Sequence, residues 1–300
     1  MRVLIQDYSS PNSTEPMYLC QSFNSVGIQA SLWNSDRMSA YDVFDSFQPN
    51  LFVAHFTKIT SDCVKYLAQN QHIKSIINMT GAQQNHVEQL DDLLRKTGLN
   101  CQFIFTSTPK KMNKLKSSVV EVVELLAAAD IFAAATQPKP EDFNVENCVI
   151  TNYDSRSRLS SQLDGTSHHF ISNSAELTEQ LDITAPELNL QALYPNYKNV
   201  IISRDDQVIP QSLFSSIYHG ANVFYKGKYE TQAKVVMDSL QNIYRGIEGC
   251  FELGESFSHK KIREEAVRKH TCFNRTQKIC AKLEWQEIKQ RFDEKIGELQ

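Results

Sequence analysis

Three hundred residues suffice for one large domain or two of ordinary size. With 41% hydrophobic and 22% charged residues, the chain can build a core, which excludes global disorder. A formal net charge of -4 excludes a generally basic nucleic-acid coat, and no apolar run approaches the roughly 20 residues that cross a bilayer.

The opening run turns polar after Ile5, too early for a secretory signal, so a cytoplasmic location is expected (host cytoplasm for a viral chain). The seven cysteines stand singly, without a Cys-x-x-Cys pair, which suits a reduced compartment. No His-Glu-x-x-His and no carboxylate cluster at ligand spacing occurs, so no metal is expected.

In chain order, Arg2 to Gln6 is a short apolar run closed by the turn-rich Asp7 to Thr14. Thr14 is placed to cap a helix whose first turn holds Glu15 and Pro16, where a negative charge and a fixed φ are favourable. Met17, Leu19, Cys20 and Phe23 give that helix an apolar face, and Gly27 ends it. Strands are predicted over 28–33, 51–56, 75–79 and 101–106, with helices around Cys63, Val64 and Leu67 and over 86–96. Short strands alternating with helices imply βαβ units and a parallel sheet. Right-handed crossovers then bring the loops after the strands to one edge, where such folds bind ligands.

Val119 to Ala135, apolar and rich in alanine, is predicted as a packed helix or a strand–helix junction. Gln137-Pro-Lys-Pro-Glu-Asp142 is the linker candidate. Beyond it the alternation resumes: strands over 147–151, 169–172, 199–203 and 222–225, helices over 175–181, 188–194 and 211–219. The tail from Ser258 to Leu299 reads as almost wholly helical, with Trp285, Ile288, Phe292 and Ile296 on one face, long enough to pack back on the first half.

The glycine signatures of dinucleotide-binding folds, P-loops and nucleophile elbows are absent from the sequence, which counts against those enzyme classes. The most informative stretch runs from Asn199 to Tyr225: strand, polar loop, helix, glycine stop, strand. Pro210 suits a first helical turn, whose free backbone N–H groups favour an anion such as a diphosphate. Arg204 adds a cation. An ordinary βαβ unit with a solvated loop has the same pattern, and spacing alone leaves both readings open.

Pro210 to Tyr225, with Glu264 to Arg275 downstream, resembles the C-terminal domain of CgeB-like (spore-maturation protein type) glycosyltransferases within the glycosyltransferase group 1 class. Pro210, Phe214, Gly220, His270, Thr271 and Arg275 fall on that family's motif positions. The opening strand, the Thr14-Glu-Pro-Met helix entry and the stretch from Asp42 to Val53 are similar to its N-terminal domain. The resemblance implies an α/β fold of GT-B type: two Rossmann-like domains with parallel sheets facing across a cleft, and a C-terminal helix packing back on the first domain. The expected division is 1–140 on the acceptor side, 141–275 for the nucleotide sugar, and 276–300 crossing back. The family's arginine falls on Ser212 and its glutamate on Ser215. A hydroxyl can hydrogen-bond a sugar but supplies no negative charge.

Metal-independent transfer of a hexosyl or pentosyl group from a nucleotide-diphosphate sugar, a UDP-sugar first, to a hydroxyl is what the resemblance implies. Arg156 and Arg204 are expected on the diphosphate, with Arg158 the near alternative to Arg156. Gln211, Ser212 and Ser215 are expected on ribose or sugar. Helix N-termini and cations stabilise such a leaving group without a metal. Inversion at the sugar also needs a general base near the acceptor, for which His55 and Asp7 are candidates. A hydrogen-bonded histidine at the core edge and a turn-capping aspartate are their bland alternatives. His219 reads as a cation at a helix C-terminus. Lys110, Lys111 and Lys114 form the one basic cluster, a solvated face or a guide for a polyanionic acceptor, so both a glycan and a modified base in DNA stand as acceptors. The rival readings are a non-catalytic GT-B-like binding module and a nucleotide-sugar epimerase of GT-B shape.

Overall fold

The fold comes from a computed structural model. It describes residues 1–9, 14–108, 114–132, 147–151, 168–171, 197, 199–203, 211–219, 221–226, 264 and 266–299. The chain forms two compact units. Unit 1 comprises Met1–Ser10, Glu15–Leu126 and Arg275–Lys295, and unit 2 comprises Pro11–Thr14, Ala127–Asn274 and Ile296–Gln300. The expected division at 140/141 falls outside the described residues; the chain leaves unit 1 after Leu126 and re-enters it at Arg275. The expected linker 137–142 and the helices expected over 175–181 and 188–194 also lie outside the described residues.

Unit 1 is built on six parallel strands in the order β2-β1-β3-β4-β5-β6. These are β1 (Arg2–Gln6), β2 (Gln29–Trp33), β3 (Leu51–His55), β4 (Lys74–Asn78), β5 (Cys101–Thr106) and β6 (Glu121–Glu124). Its crossover helices are α1 (Glu15–Ser25), α2 (Ala40–Phe47), α3 (Ser61–Gln69) and α4 (Gln84–Thr97). The inner strands β1 and β3 are nearly continuous apolar runs, as strands covered on both faces must be. Local chemistry sets the helix ends. Ser39 accepts the N–H of Asp42 at 3.2 Å to start α2, and Thr60 accepts that of Cys63 at 3.3 Å to start α3. Gly98, at φ 63°, closes α4 with its N–H on the Leu94 carbonyl.

Under the sheet, Trp33, Phe44 and Phe52 meet edge-on or tilted at ring separations of 5.9, 5.9 and 5.1 Å. Burying each such side chain contributes roughly 1.5–3 kcal/mol. The alanine-rich stretch differs from expectation. Its described part, 119–132, is β6 followed by non-helical chain, in which Ala129 bridges Thr271; pairing of buried backbone outweighs the helix propensity of alanine.

Ten strands are present among the described residues. Unit 2 has four in parallel, ordered β10-β9-β7-β8: β7 (Asn147–Thr151), β8 (His168–Ile171), β9 (Asn199–Ser203) and β10 (Asn222–Lys226). Helix α5 (Gln211–Tyr218) packs on β9 and β10 through buried Leu213, Phe214 and Ile217. The tail is helical but interrupted. Residues 266–269 are helical, and α6 (Cys272–Lys282) and α7 (Gln286–Leu299) follow. Glu284, at φ 61°, makes the break between them. The Trp285 N–H on Cys280 and the Glu284 N–H on Ala281 complete a helix-ending turn. Within unit 1, Phe292 of α7 meets Phe23 of α1 edge-on at 6.2 Å, and Arg291 donates to the Val26 carbonyl at 3.0 Å. Within unit 1 the C-terminal helix therefore packs on the first half, with Ile288 and Phe292 buried and Trp285 only half-buried; Ile296 is buried too, in unit 2. No described helix is long and apolar enough to cross a membrane.

Candidate functional site

In unit 1 the strand order reverses between β1 and β3, and the carboxyl ends flanking such a reversal form the crevice where open α/β sheets take ligands. The register pairs Ile5 with Val53; two residues further on, Asp7 comes level with His55. Asp7 holds the turn: its N–H donates to the Trp33 carbonyl at 2.8 Å, and its carboxylate accepts the Ser9 N–H at 3.0 Å. Next to it, the Tyr8 ring lies 5.2 Å from the His55 ring. His55 meets Phe56 at 4.8 Å, and Phe56 meets His86 at 5.2 Å. His86 is oriented by the Gln83 N–H, which donates to its Nδ1 at 3.0 Å.

His55 is the titratable group suited to proton transfer here. Its Nδ1 lies 2.8 Å from Thr57 Oγ1. Burial pushes its pKa below the ordinary 6.5; the Glu15 carboxylate and the Thr80 backbone pull it up, and Lys58 pushes it down. At neutral pH the imidazole is therefore uncharged and able to accept a proton.

Through Asn78, which pairs in register with His55, this strand end connects to a buried ionic cluster that the sequence did not disclose. Glu15 is 6% exposed and Arg275 3%, and the two form an ion pair. Arg275 Nε donates to Glu15 Oε1 at 3.0 Å, Nη1 donates to the carbonyls of Leu125 and Leu126, and Nη2 reaches Ser107 Oγ at 3.3 Å. Its guanidinium carbon lies 5.4 Å from the centre of the Phe105 ring. Asn78 Nδ2 donates to Glu15 Oε2 at 3.1 Å, while its Oδ1 accepts the Thr80 N–H at 2.8 Å. Tyr8 Oη is buried. Burial, then the charge of Glu15, hold its pKa well above the usual value against the opposing influence of Asn78 and Arg275, so Tyr8 stays protonated. The signal available in the sequence was Arg275, the last residue of the His270-Thr271 motif, but nothing local tied it to Glu15.

In unit 2, Gln211 is 5% exposed, and both ends of its amide are committed to Thr14. Nε2 donates to Thr14 Oγ1 at 2.9 Å, and Oε1 accepts the Thr14 N–H at 3.1 Å. The Thr14 hydroxyl donates to Asp130 Oδ2 at 2.9 Å. Further along α5, Ser212 Oγ and Ser215 Oγ make no hydrogen bonds; Ser215 is fully buried and Ser212 half-buried. Phe214 lies 5.1 Å from the His270 ring. Thr271 accepts the Asn274 N–H at 3.4 Å to start α6, and its own N–H and hydroxyl both donate to Asn274 Oδ1 at 2.7 Å. The motif residues Phe214, His270, Thr271 and Arg275 thus carry internal contacts.

The expected site residues fall into two groups. Asp7 and His55 end neighbouring strands of unit 1, and Gln211, Ser212 and Ser215 share α5 in unit 2. Lys114 is exposed, ahead of a segment fixed by the Gln84–Lys116 hydrogen bonds and by Asp91 on Ser117 and Ser118. Arg156 and Arg204 follow β7 and β9 in the sequence and, like Arg158, Lys110, Lys111, Pro210 and Gly220, lie outside the described residues. Among the described residues, no group of three or more His, Cys, Asp or Glu is placed to hold a metal ion.

No family model and no curated protein matches the chain. Solved structures do. The spinosyn rhamnosyltransferase SpnG complexed with thymidine diphosphate aligns with a TM-score of 0.53 at 11% identity, covering 91% of this chain and 98% of its own. The Streptomyces sp. SF2575 glycosyltransferase SsfS6 aligns at 0.52 and 12%, covering 93% and 99%. A UDP-N-acetylglucosamine 2-epimerase from Listeria monocytogenes aligns at 0.55 and 8%, covering 95% and 97%. At such identities the likeness is one of architecture, and the architecture of this chain is the GT-B fold.

Proposed function

We propose that the chain is a glycosyltransferase that moves a sugar from a nucleoside-diphosphate sugar to a hydroxyl. The observation that carries this reading is the place of His55, at the end of β3 beside the strand reversal of unit 1, where burial lowers its proton affinity. In support, the fold is shared over more than nine-tenths of the chain with enzymes whose names specify sugar transfer. His55 would take the acceptor's hydroxyl proton as the oxygen attacks the anomeric carbon. The bond from that carbon to the diphosphate breaks, and the nucleoside diphosphate leaves with the electron pair. Asp7, whose carboxylate is engaged by Ser9, is the alternative base.

For the donor, a UDP-sugar comes first, with Arg156 and Arg204 on its diphosphate and no metal required. Gln211, Ser212 and Ser215 of α5 are the residues for ribose or sugar, the two serine hydroxyls being without hydrogen bonds. Gln211 would have to release Thr14 to reach either. The CgeB-like subtype rests on the motif positions from Pro210 to Arg275. A glycan or a modified base in DNA serves as acceptor in this reading. With Lys110, Lys111 and Lys114 guiding a polyanion, DNA binding would weaken steeply from low to moderate salt; salt-insensitive binding removes that acceptor.

One experiment tests the reading. Nucleotide-sugar donors are incubated with the chain, alone and with hydroxyl acceptors, and released nucleoside diphosphate is measured. Release that depends on His55 supports transfer, and no release with any donor contradicts it. The epimerase is the second reading, favoured by the likeness to the Listeria protein at 0.55. A nucleotide sugar recovered with an inverted sugar centre and no free diphosphate would decide for it.

A further inference from the structure

Two residues that re-enter unit 1 from elsewhere in the chain, Glu15 and Arg275, meet in the buried cluster that Asn78 joins to the His55 strand end. Their ion pair is enclosed: the Glu15 oxygens are taken by Arg275 and Asn78, and Arg275 is further held by two carbonyls and a hydroxyl. A carboxylate fixed in this way cannot turn away from its surroundings, and its field acts at low dielectric.

We propose that Glu15 is a positioning residue: clamped by Arg275 and by Asn78, the β4 residue that pairs in register with His55, its carboxylate supplies the negative field in which that imidazole takes up and releases a proton. The role in catalysis rests on the reading of His55 as the base; the action of Glu15 on His55 does not. The groups facing His55 can be named element by element. Tyr8 follows β1, its hydroxyl buried, and Asp7 beside it is engaged by Ser9. Glu15 starts α1. Thr57 and Lys58 follow β3, the first within 2.8 Å of Nδ1. The Thr80 backbone follows β4, itself pinned by Asn78. His86 of α4 lies beyond Phe56, and Arg275 of α6 acts through Glu15. Of these, the Glu15 carboxylate and the Thr80 backbone raise the proton affinity of His55, and Lys58 lowers it.

The test is a proton NMR titration of the histidine Cε1–H resonances in the full chain, with the His55 signal among eight histidines identified by its loss in His55→Gln. In Glu15→Gln the His55 midpoint should fall below the wild-type value, and in Lys58→Met it should rise. Opposite signs from two single variants are not produced by general loosening. Because Glu15→Gln leaves Arg275 without its partner and can fail to fold, Glu15→Gln/Arg275→Met removes both charges and should show the same downward shift. An unmoved or raised midpoint in the folded Glu15 variants overturns the proposal. Failure of both variants to fold also overturns it, assigning the pair to stability alone. The acid limb of the kcat–pH profile should move with the NMR midpoint. A moved midpoint with an unmoved profile leaves the action of Glu15 on His55 standing and overturns His55 as base.

Discussion

The two sheets use their polar residues in opposite ways. At the strand reversal of unit 1, Glu15, Arg275, Asn78, Thr80 and Ser107 are wired together beside one half-buried histidine. On α5 of unit 2, two serine hydroxyls are left without hydrogen bonds and the one amide is spent on Thr14. A network closed on itself fixes geometry, which proton transfer needs. Unbonded hydroxyls keep their hydrogen-bonding capacity for something else, which binding needs. Each prediction below breaks or sharpens that contrast, starting from the largest effect.

Arg275→Met should be the most damaging single change. It strands the Glu15 carboxylate in the interior and should cost about 3–5 kcal/mol of stability, read as a lowered denaturant midpoint. Adding Glu15→Gln should recover part of the loss, because the buried charge is then gone. If Arg275→Met is as stable as wild type, the cluster is not what closes unit 1. In unit 2, Gln211→Leu removes the Gln211 hydrogen bonds to the Thr14 N–H and hydroxyl, the hydroxyl keeping Asp130, and should cost about 1–3 kcal/mol by the same measurement. A larger loss from Gln211→Leu than from Arg275→Met would reverse the contrast.

A pH experiment sharpens it further. Because burial holds His55 below its ordinary 6.5, the folded chain binds fewer protons there than the unfolded chain in the window below pH 6.5. Stability therefore rises with pH across that window, and the contribution of His55 is lost as pH falls through its folded value. His55→Gln should flatten this slope in denaturation curves taken between pH 5 and 8; an unchanged slope would show an unperturbed histidine. The smallest effect belongs to Ser215→Ala. Its hydroxyl is buried without a partner, so removal should leave stability unchanged or slightly improved. Ser212→Ala should instead weaken nucleotide-sugar binding in calorimetry. The opposite outcome, with Ser215 the sensitive residue, would move the ligand contact along α5.

Much of the fold was legible because the strands are apolar runs bounded by turn residues, a pattern that survives without long-range information. Leu51 to His55 and Asn199 to Ser203 are such runs. Ala127 to Ala129 misled, since alanine favours helix until backbone pairing with Thr271 offers more. Helix α2 carried its signal, Ser39 with Asp42 and the spacing of Ala40, Val43 and Phe44, but that stretch drew attention only as part of a resemblance. The site was legible where chemistry sits at a strand end, as with His55 and Asp7. It was not legible where the partner lies far along the chain. Glu15 looked like a charge placed for a helix terminus, yet its partner Arg275 is 260 positions away. Gln211 looked like a ligand contact, yet it binds Thr14, 197 positions away. No local pattern encodes either pairing.

The most direct check is the rate at which nucleoside diphosphate is released from a nucleotide sugar in the presence of an acceptor, compared between wild type and His55→Ala. If His55 is the base, the variant should bind the donor as wild type does and release diphosphate about 10²–10⁴-fold more slowly. Release at the wild-type rate from His55→Ala, with donor binding intact, would contradict the assignment.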